Sequence, residues 1–260
     1  MPEGDTIHYA GARIRAVLAG HVPDEIATPH PRFGLDRWPE RLADRAIRAV
    51  DAHGKHLFLR FEGDLVLHSH LRMTGAWAVH PHGARWRRSP RRAWLIVRAH
   101  GHDVVEFDGP VLELMTEGRT RFDQRLAALG PDVLAEPDFD AGRFLARLRA
   151  DDPTRGVGDA LLDQRIVAGL GNVWKAEGCW GAQLDPWRPL RDVSDAEALA
   201  AIEHARPRML RAAAAARPHA EDRRVYDCAG RPCPRCGTTI AARGQGDENR
   251  TTFWCPGCQR

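Results

Sequence analysis

The stretch Leu161-Leu-Asp-Gln-Arg-Ile-Val-Ala-Gly169-Leu170-Gly171-Asn172-Val-Trp-Lys-Ala-Glu177 decides how this chain is read. It spells helix, tight turn, helix. Gly169 and Gly171 permit positive φ and close backbone approach, and Asn172 is a favourable N-cap for the second helix. A helix N-terminus behind glycines is an anion site, and DNA phosphate is a natural anion for it. An ordinary αα-hairpin with a glycine C-cap fits the same residues. The flanking sequence has to separate the two readings.

Helical spacing surrounds this motif. Phe144, Leu145 and Leu148 place a helix over 140–150; further helical runs follow at 156–166 and 172–181, then an Ala-rich one from about 195 to 216. Upstream, 117–138 is polar and turn-rich and reads as an interdomain connection. Before it the period is two. Leu57, Leu59 and Phe61 alternate with polar neighbours, as do Leu65 and Leu67, then Ala76 and Ala78. With the apolar runs at 93–97, 104–107 and 111–115, these predict short antiparallel strands over 46–115, in a sandwich or barrel. Ile7, Ala10, Ile14 and Val17 form a helical stripe near the start, capped by Asp5 or Thr6.

Downstream, Cys233-Pro-Arg-Cys236 and Cys255-Pro-Gly-Cys258 are two knuckles with 18 residues between them. Four thiolates at this spacing suit one tetrahedral zinc ion of structural type. Thr238–Ile240 and Thr251–Trp254 fit the strands of a hairpin between the knuckles, with Arg243, Gln245, Asn249 and Arg250 around its tip. Cys179 and Cys228 fall outside the pattern and read as structural thiols.

Composition narrows the class. Of 260 residues, 43% are hydrophobic and 28% charged, which excludes a disordered chain. No apolar run reaches the roughly 18 residues of a membrane span, and MPEGDTIHYA has neither the basic nor the apolar region of a secretory signal. A cytoplasmic protein with reduced thiols is expected. The net charge of +3 points only weakly to a polyanionic partner. More telling, the 38 basic residues are 36 arginines and two lysines, Lys55 and Lys175. Lysine can exchange a proton near neutral pH and arginine cannot.

Pro2 follows the initiator methionine, whose removal leaves a secondary amine with a pKa of about 7.7–8.0. Such an amine attacking a sugar C1′ gives an iminium, an electron sink for covalent catalysis. Glu3 lies beside it as a proton shuttle. Taken alone this start is weak, since most Met-Pro proteins are inert at that position.

Together, MPEG at 1–4, GKHLFLRF at 54–61, SHLRMTG at 69–75, LDQRIVAGLGNVWKAE at 162–177 and NRTTFWCPGCQ at 249–259 resemble the formamidopyrimidine-DNA glycosylase and endonuclease VIII family of bifunctional DNA repair enzymes. The match runs in order from one end of the chain to the other. The resemblance implies an α+β multidomain fold: an N-terminal β-sandwich flanked by helices (1–118), a linker (119–138), a helix–two-turns–helix domain (139–227) and a C-terminal β-hairpin zinc finger (228–260). It implies base excision repair by an N-glycosylase with DNA-(apurinic or apyrimidinic site) lyase activity. Pro2 would be the nucleophile, Glu3 the general acid and base, Lys55 a support for β-elimination, and Arg250 a phosphate grip assisting δ-elimination. Arg72 and Met73 would fill the gap left by a flipped nucleotide. His70 and Asn172 would bind DNA beside the lesion, and Asp163 matches an acidic residue near the nucleophile. Cys233, Cys236, Cys255 and Cys258 would hold one zinc. Implied with these are damaged DNA as partner, no membrane, no nucleotide cofactor, a monomer, and a place at the cytoplasmic nucleoid.

Two positions depart from the family pattern. Thr6 stands where a carboxylate is common, and Ala128 where some members carry a polar or basic side chain; Arg121 or Arg125 are candidates to replace the latter. Gly4, the form of Arg72–Trp77 and a short segment from Arg217 to Pro232 resemble the endonuclease VIII branch, which favours oxidised pyrimidines. Four other readings stay open. Met73 also suits a core position. Arg72, and the basic run from Arg85 to Trp94, also suit a solvated surface. A non-catalytic zinc-finger protein that binds damaged or distorted DNA would use the helix pair and hairpin but not Pro2. A zinc-ribbon scaffold for a protein partner would leave Pro2, Glu3 and Lys55 without a use.

Overall fold

The computed structural model describes residues 2–33, 35–215 and 223–260. It contains two compact units. One comprises Pro2 and Thr6–Ala127, the other Glu3–Asp5 and Ala128–Arg260. The first six residues of the Arg217–Pro232 segment lie outside the described residues.

The first unit is a sandwich of two antiparallel four-stranded sheets. Its strands are β1 (Glu25–Ala27), β2 (Ile47–His53), β3 (His56–Phe61), β4 (Leu65–His70), β5 (Ala76–Pro81), β6 (Ala93–Ala99), β7 (His102–Phe107) and β8 (Val111–Thr116). One sheet has the order β2-β3-β4-β8 and the other β1-β6-β7-β5. The alternation in the sequence becomes the inner faces. Leu57, Leu59, Phe61 and Leu67 from one sheet share a core with Leu95, Val97 and Val104 from the other. Helix α1 (Gly4–Leu18) adds its stripe of Ile7, Ile14 and Leu18, and α2 (Trp38–Leu42) adds both its end residues. Each such buried side chain contributes about 1.5–3 kcal/mol over leaving it in water. Two short helices, α3 (Glu117–Phe122) and α4 (Gln124–Ala127), end the unit.

The second unit is helical with a terminal hairpin. Helices α5 (Ala141–Arg149), α6 (Val157–Ala160), α7 (Asn172–Gly181) and α8 (Asp195–Ala214) precede strands β9 (Ala241–Gln245) and β10 (Arg250–Trp254). Phe144, Leu148, Leu161, Trp174, Ile202 and Met209 are in one core. A Cβ at Gly178 would meet the Ala201 carbonyl oxygen at 2.5 Å, so glycine sets how closely α7 lies on α8. Helix α8 starts on a capping box, in which the Ser194 hydroxyl accepts from the Glu197 amide and the Glu197 carboxylate accepts from the Ser194 amide.

Two expected elements are shorter or displaced. The helix expected over 156–166 stops at Ala160. Beyond it Gln164 donates to the carbonyls of Leu162 and Leu170 and accepts from the Gly169 amide, and Asp163 accepts from the Arg165 amide. These side-chain bonds offer the backbone an alternative to the helix ladder. The strand expected at Thr238–Ile240 begins instead at Ala241. Residues 238–240 pair back on the first knuckle, with Cys233 N on Thr238 O and Ile240 N on Arg231 O.

One buried acid links the two sheets of the sandwich. Trp77 Nε1 on β5 donates to Ser69 Oγ on β4 at 3.1 Å, and Ser69 Oγ donates to Glu106 Oε1 on β7 at 2.6 Å. The loop after β7 closes over this carboxyl, and a Cβ at Gly109 would overlap it. Burial pushes Glu106 up to about 8, against the opposing pull of the Ser69 hydrogen bond. Between about pH 4.5 and 8 the folded chain therefore keeps a proton that the unfolded chain releases, and stability falls as pH rises through that window. Glu106→Gln is expected to raise stability at pH 8 by about 1–3 kcal/mol and to leave it near wild type at pH 4. Urea unfolding at both pH values checks this; equal shifts at the two would refute it.

Candidate nucleic-acid interface and metal centre

Helix α7 receives the start of the chain. Glu3 is fully buried. Its Oε1 accepts from Val173 N at 3.0 Å and its Oε2 from Trp174 N at 3.4 Å. Gly4 N donates to Gly169 O at 2.9 Å. A Cβ at Gly171 would overlap the Glu3 carboxyl, and one at Gly4 would sit 3.0 Å from Gly169 Cα. The tight approach of this contact is what requires glycine at 171. The anion at the helix N-terminus is the chain's own Glu3, where the dipole and the first amides favour negative charge. Pro2, half-buried and outside any helix or strand, is the residue immediately before it.

Asn172 does not act as an N-cap. Gly171 holds that position and α7 begins at Asn172. Its Nδ2 donates to Thr251 O on β10 at 2.7 Å, while Oδ1 has no hydrogen-bond partner among the described residues. This brings Asn172 to the strand that Arg250 starts. Arg250 is partly exposed, with Nε and Nη2 on Glu248 Oε2 at 2.8 and 2.6 Å. One turn into α7, Lys175 is buried, and its Nζ donates to Thr252 Oγ1 at 2.6 Å. Burial holds this amine down at about 8, against the Cys179 thiol and the carboxylates of Asp159 and Glu3. Thr252 Oγ1 donates in turn to Gln245 Oε1, and Gln245 Nε2 to Pro186 O. Gln245 therefore points inward rather than to the hairpin tip. Arg243 lies over the Trp187 ring at 3.8 Å.

The first unit gathers Lys55, His70, Arg72 and Met73. Strands β2 and β3 pair His53 with His56, so Gly54 and Lys55 form a two-residue turn, Gly54 at φ 57°. His56 lies opposite His70 across β3 and β4. The turn after β4 closes with Gly75 N on Leu71 O. It carries Arg72 in the left-handed region at φ 48° and Met73 at 63% exposure, which removes Met73 from the core. A non-glycine residue held there is strained backbone of the kind found at functional turns. Arg72 N donates to His70 Nδ1 at 3.2 Å, leaving the His70 ring proton on Nε2. Burial, then Arg72 and Lys55, hold His70 down at about 4. It is a neutral donor at pH 7.

Two further imidazoles beside His70, those of His56 and His68, are not among the residues singled out from the sequence. His56 Nδ1 and His68 Nε2 are 2.8 Å apart, and His68 Nδ1 is 3.3 Å from Glu113 Oε2. Burial, with His70, His68, His53 and Arg72 around it, holds His56 down at about 2. The period-two spacing of His68 and His70 is the one signal of this cluster in the sequence. Asp163 is engaged by Arg155 at 3.2 Å and Arg165 at 2.6 Å. Burial would raise it, and these arginines hold it at about 2. Arg125, considered as a substitute at the Ala128 departure, pairs with Asp123 and Glu113, and the Ala128 carbonyl accepts from Arg147.

The four knuckle cysteines converge: Cys233, Cys236, Cys255 and Cys258 place their sulfurs within 4.8 Å of one another. Sulfurs about 2.3 Å from a tetrahedral ion lie about 3.8 Å apart, so the set fits a metal. Outer groups suit thiolate ligands, with Trp180 Nε1 3.4 Å from Cys233 Sγ and Arg235 Nη1 3.7 Å from Cys258 Sγ. Cys179 is buried in the helical core, and Cys228 packs against the knuckles without joining the set.

The comparisons with known proteins agree with this geometry. The family model described as formamidopyrimidine-DNA glycosylase N-terminal domain matches residues 1–126, and its H2TH domain matches 129–220. A protein of Streptomyces coelicolor named probable endonuclease 8 2 is 40% identical over 270 residues, covering 100% of this chain and 94% of that protein. The DNA-(apurinic or apyrimidinic site) lyase Nei2 of Mycolicibacterium smegmatis is 35% identical, covering 100% of this chain and 99% of that protein. The solved complex of Lactococcus lactis Fpg with abasic-site DNA shares the fold at a TM-score of 0.82 and 22% identity, over 100% of both chains. No helix among the described residues is long and apolar enough to cross a membrane. With family models matching both units in order, and relatives similar over the whole chain, this protein belongs to the formamidopyrimidine-DNA glycosylase and endonuclease VIII family of DNA repair glycosylases and AP lyases.

Proposed function

We propose that this chain excises oxidised bases from duplex DNA, pyrimidines in preference, and then cuts the strand at the resulting site. In this reading the Pro2 amine, freed of Met1, attacks C1′ of a flipped nucleotide. The C1′–N bond to the base breaks, and the base leaves with the proton shed by the attacking amine, relayed through the Glu3 carboxylate. The sugar ring then opens at C1′–O4′, with O4′ taking up a proton, and the resulting iminium on C1′ acidifies the C2′ proton. Its loss expels the 3′ phosphate, and a second elimination expels the 5′ phosphate. Lys55 supports the first elimination and Arg250 the second. Arg72, Met73, His70 and Asn172 hold the distorted strand. All of these groups lie on one chain, so a monomer acting at the cytoplasmic nucleoid suffices.

The observation that carries this reading is the docking of Glu3 on the N-terminus of α7. A carboxylate with two charge-assisted amide bonds has a fixed orientation, and the adjoining Pro2 inherits a restricted position. Effective general acid–base work depends on such placement more than on the group itself. The exposed Met73 beside Arg72 supports the filling of a vacated stack.

Borohydride is expected to trap a covalent protein–DNA adduct on an abasic-site duplex. A retained N-terminal extension should abolish trapping; an adduct that persists with the N-terminus blocked would overturn Pro2 and favour a merely DNA-binding protein.

The lesion preference rests on the short segment from Arg217 to Pro232, which offers little chain to cover a large flipped purine. In single-turnover assays thymine glycol and dihydrouracil are expected to leave faster than 8-oxoguanine opposite cytosine. The reverse order would overturn the preference while leaving the family intact.

The metal in this reading is one structural zinc on Cys233, Cys236, Cys255 and Cys258. Small modules of this kind fold on their metal, so its loss should displace β10 and with it Arg250. Elemental analysis should give one zinc per chain, falling well below that in each Cys→Ala variant. Protein purified without chelators that carries no zinc would refute the assignment.

A further inference from the structure

The connection between β5 and β6 takes no part in the reaction proposed above. Residues 82–92 carry arginines at 85, 87, 88, 91 and 92. A run of charge in an unstructured loop would be a solvated surface, but this loop is pinned. Trp86 packs edge-on against Phe107, with ring centroids 5.6 Å apart, and donates its Nε1 to Asp103 Oδ2 at 3.3 Å. Arg85 and Arg87, on either side of that anchor, are exposed. Pro90–Arg92 forms a 3-10 turn on which Arg91 is exposed.

The nearby carboxylates are already engaged. Asp103 accepts from His82 at 2.9 Å, from Arg98 at 3.1 Å and from Trp86. Asp108 pairs with Arg88 at 3.2 Å and Arg92 at 2.7 Å. Arg85, Arg87 and Arg91 make no ion pair among the described residues. Arg85 and Arg87 border a cleft of about 730 Å³ with His82, Trp86, Arg88 and Arg98. The loop also adjoins the turn that carries Met73. Arg88 Nη1 donates to Thr74 O at 3.1 Å, and Thr74 Oγ1 donates to Asp108 O at 3.2 Å.

We infer that Arg85, Arg87 and Arg91 form an auxiliary phosphate-binding site for the backbone of duplex DNA, held beside the Arg72–Met73 turn by Trp86 and Arg88. This rests on the reading that the turn meets DNA. Guanidinium groups suit phosphate by their planar, multi-donor geometry. A site of this kind positions the duplex and carries no base information. It therefore binds undamaged and lesion-bearing duplex alike.

The test is the salt dependence of binding to a duplex long enough to extend past the lesion on both sides. For the triple variant Arg85→Ser, Arg87→Ser, Arg91→Ser, the slope of log K against log salt should fall by about 0.9 for each phosphate that is no longer neutralised, equally for damaged and undamaged duplex. The triple Arg→Lys variant, which keeps the charge, should keep the slope and serves as the control for folding. A wild-type slope in the triple Ser variant, or a reduction confined to lesion-bearing DNA, would overturn the proposal, as would an equal reduction in the Lys variant. Wild-type protein that binds with the expected slope yet traps no covalent adduct would sink the enzymatic reading and leave this site standing.

Discussion

The carboxylate of Glu3 on the first amides of α7 is the contact from which the second unit can be understood. It joins residues 170 positions apart in the chain. A buried carboxylate that accepts from the first amides of a helix has its negative charge favoured there by the helix dipole. The contact fixes the requirement for glycine at 171 and brings Gly4 against Gly169. Helix α7 then works as a strut. Asn172 and Lys175 bind β10, and Glu177 accepts from the amides of Arg224, Val225 and Tyr226 as the chain enters the cysteine module. Trp180 reaches Cys233 at the far end. Ten residues of helix thus fasten Glu3 at one end and the candidate metal centre at the other.

This arrangement explains which features are legible in the sequence. The sandwich strands are, because one side of each sheet is buried and period two survives in Leu57, Leu59 and Phe61. The knuckles are, because metal geometry dictates their spacing. Asn172 resembles a cap in the sequence, but the carboxylate on the helix amides comes from the other end of the chain and leaves no local signal. Gln245 resembles an exposed tip residue for a similar reason: its partner Pro186 is 59 residues away. The helix expected over 156–166 fails where Asp163 and Gln164 bond to nearby backbone, a competition that apolar periodicity does not register.

In the first unit the imidazoles beside Lys55 act differently from surface histidines. Burial keeps His56 and His70 neutral well below their ordinary range. Their charge is thus absent throughout the physiological range, and the positive potential at this face comes from Lys55 and Arg72. His56 and His68 stack with Phe58 on β3 and β4, and β3 is the strand that the two-residue Gly54–Lys55 turn leads into.

The abundance of arginine becomes informative once each guanidinium is matched with its partners. Many of these groups are internal ties rather than a polyanion surface. Arg155 engages Asp151, Asp159 and Asp163, Arg60 engages Asp51 and Glu117, and Arg206 closes on the carbonyls of Val133 and Ala135. A net charge of +3 spread over 260 residues would attract DNA feebly. What matters is where positive charge lacks a carboxylate. In the first unit Asp103 and Asp108 take up His82, Arg88, Arg92 and Arg98, while Arg85, Arg87 and Arg91 make no ion pair among the described residues. The same two acids anchor the loop that bears these three.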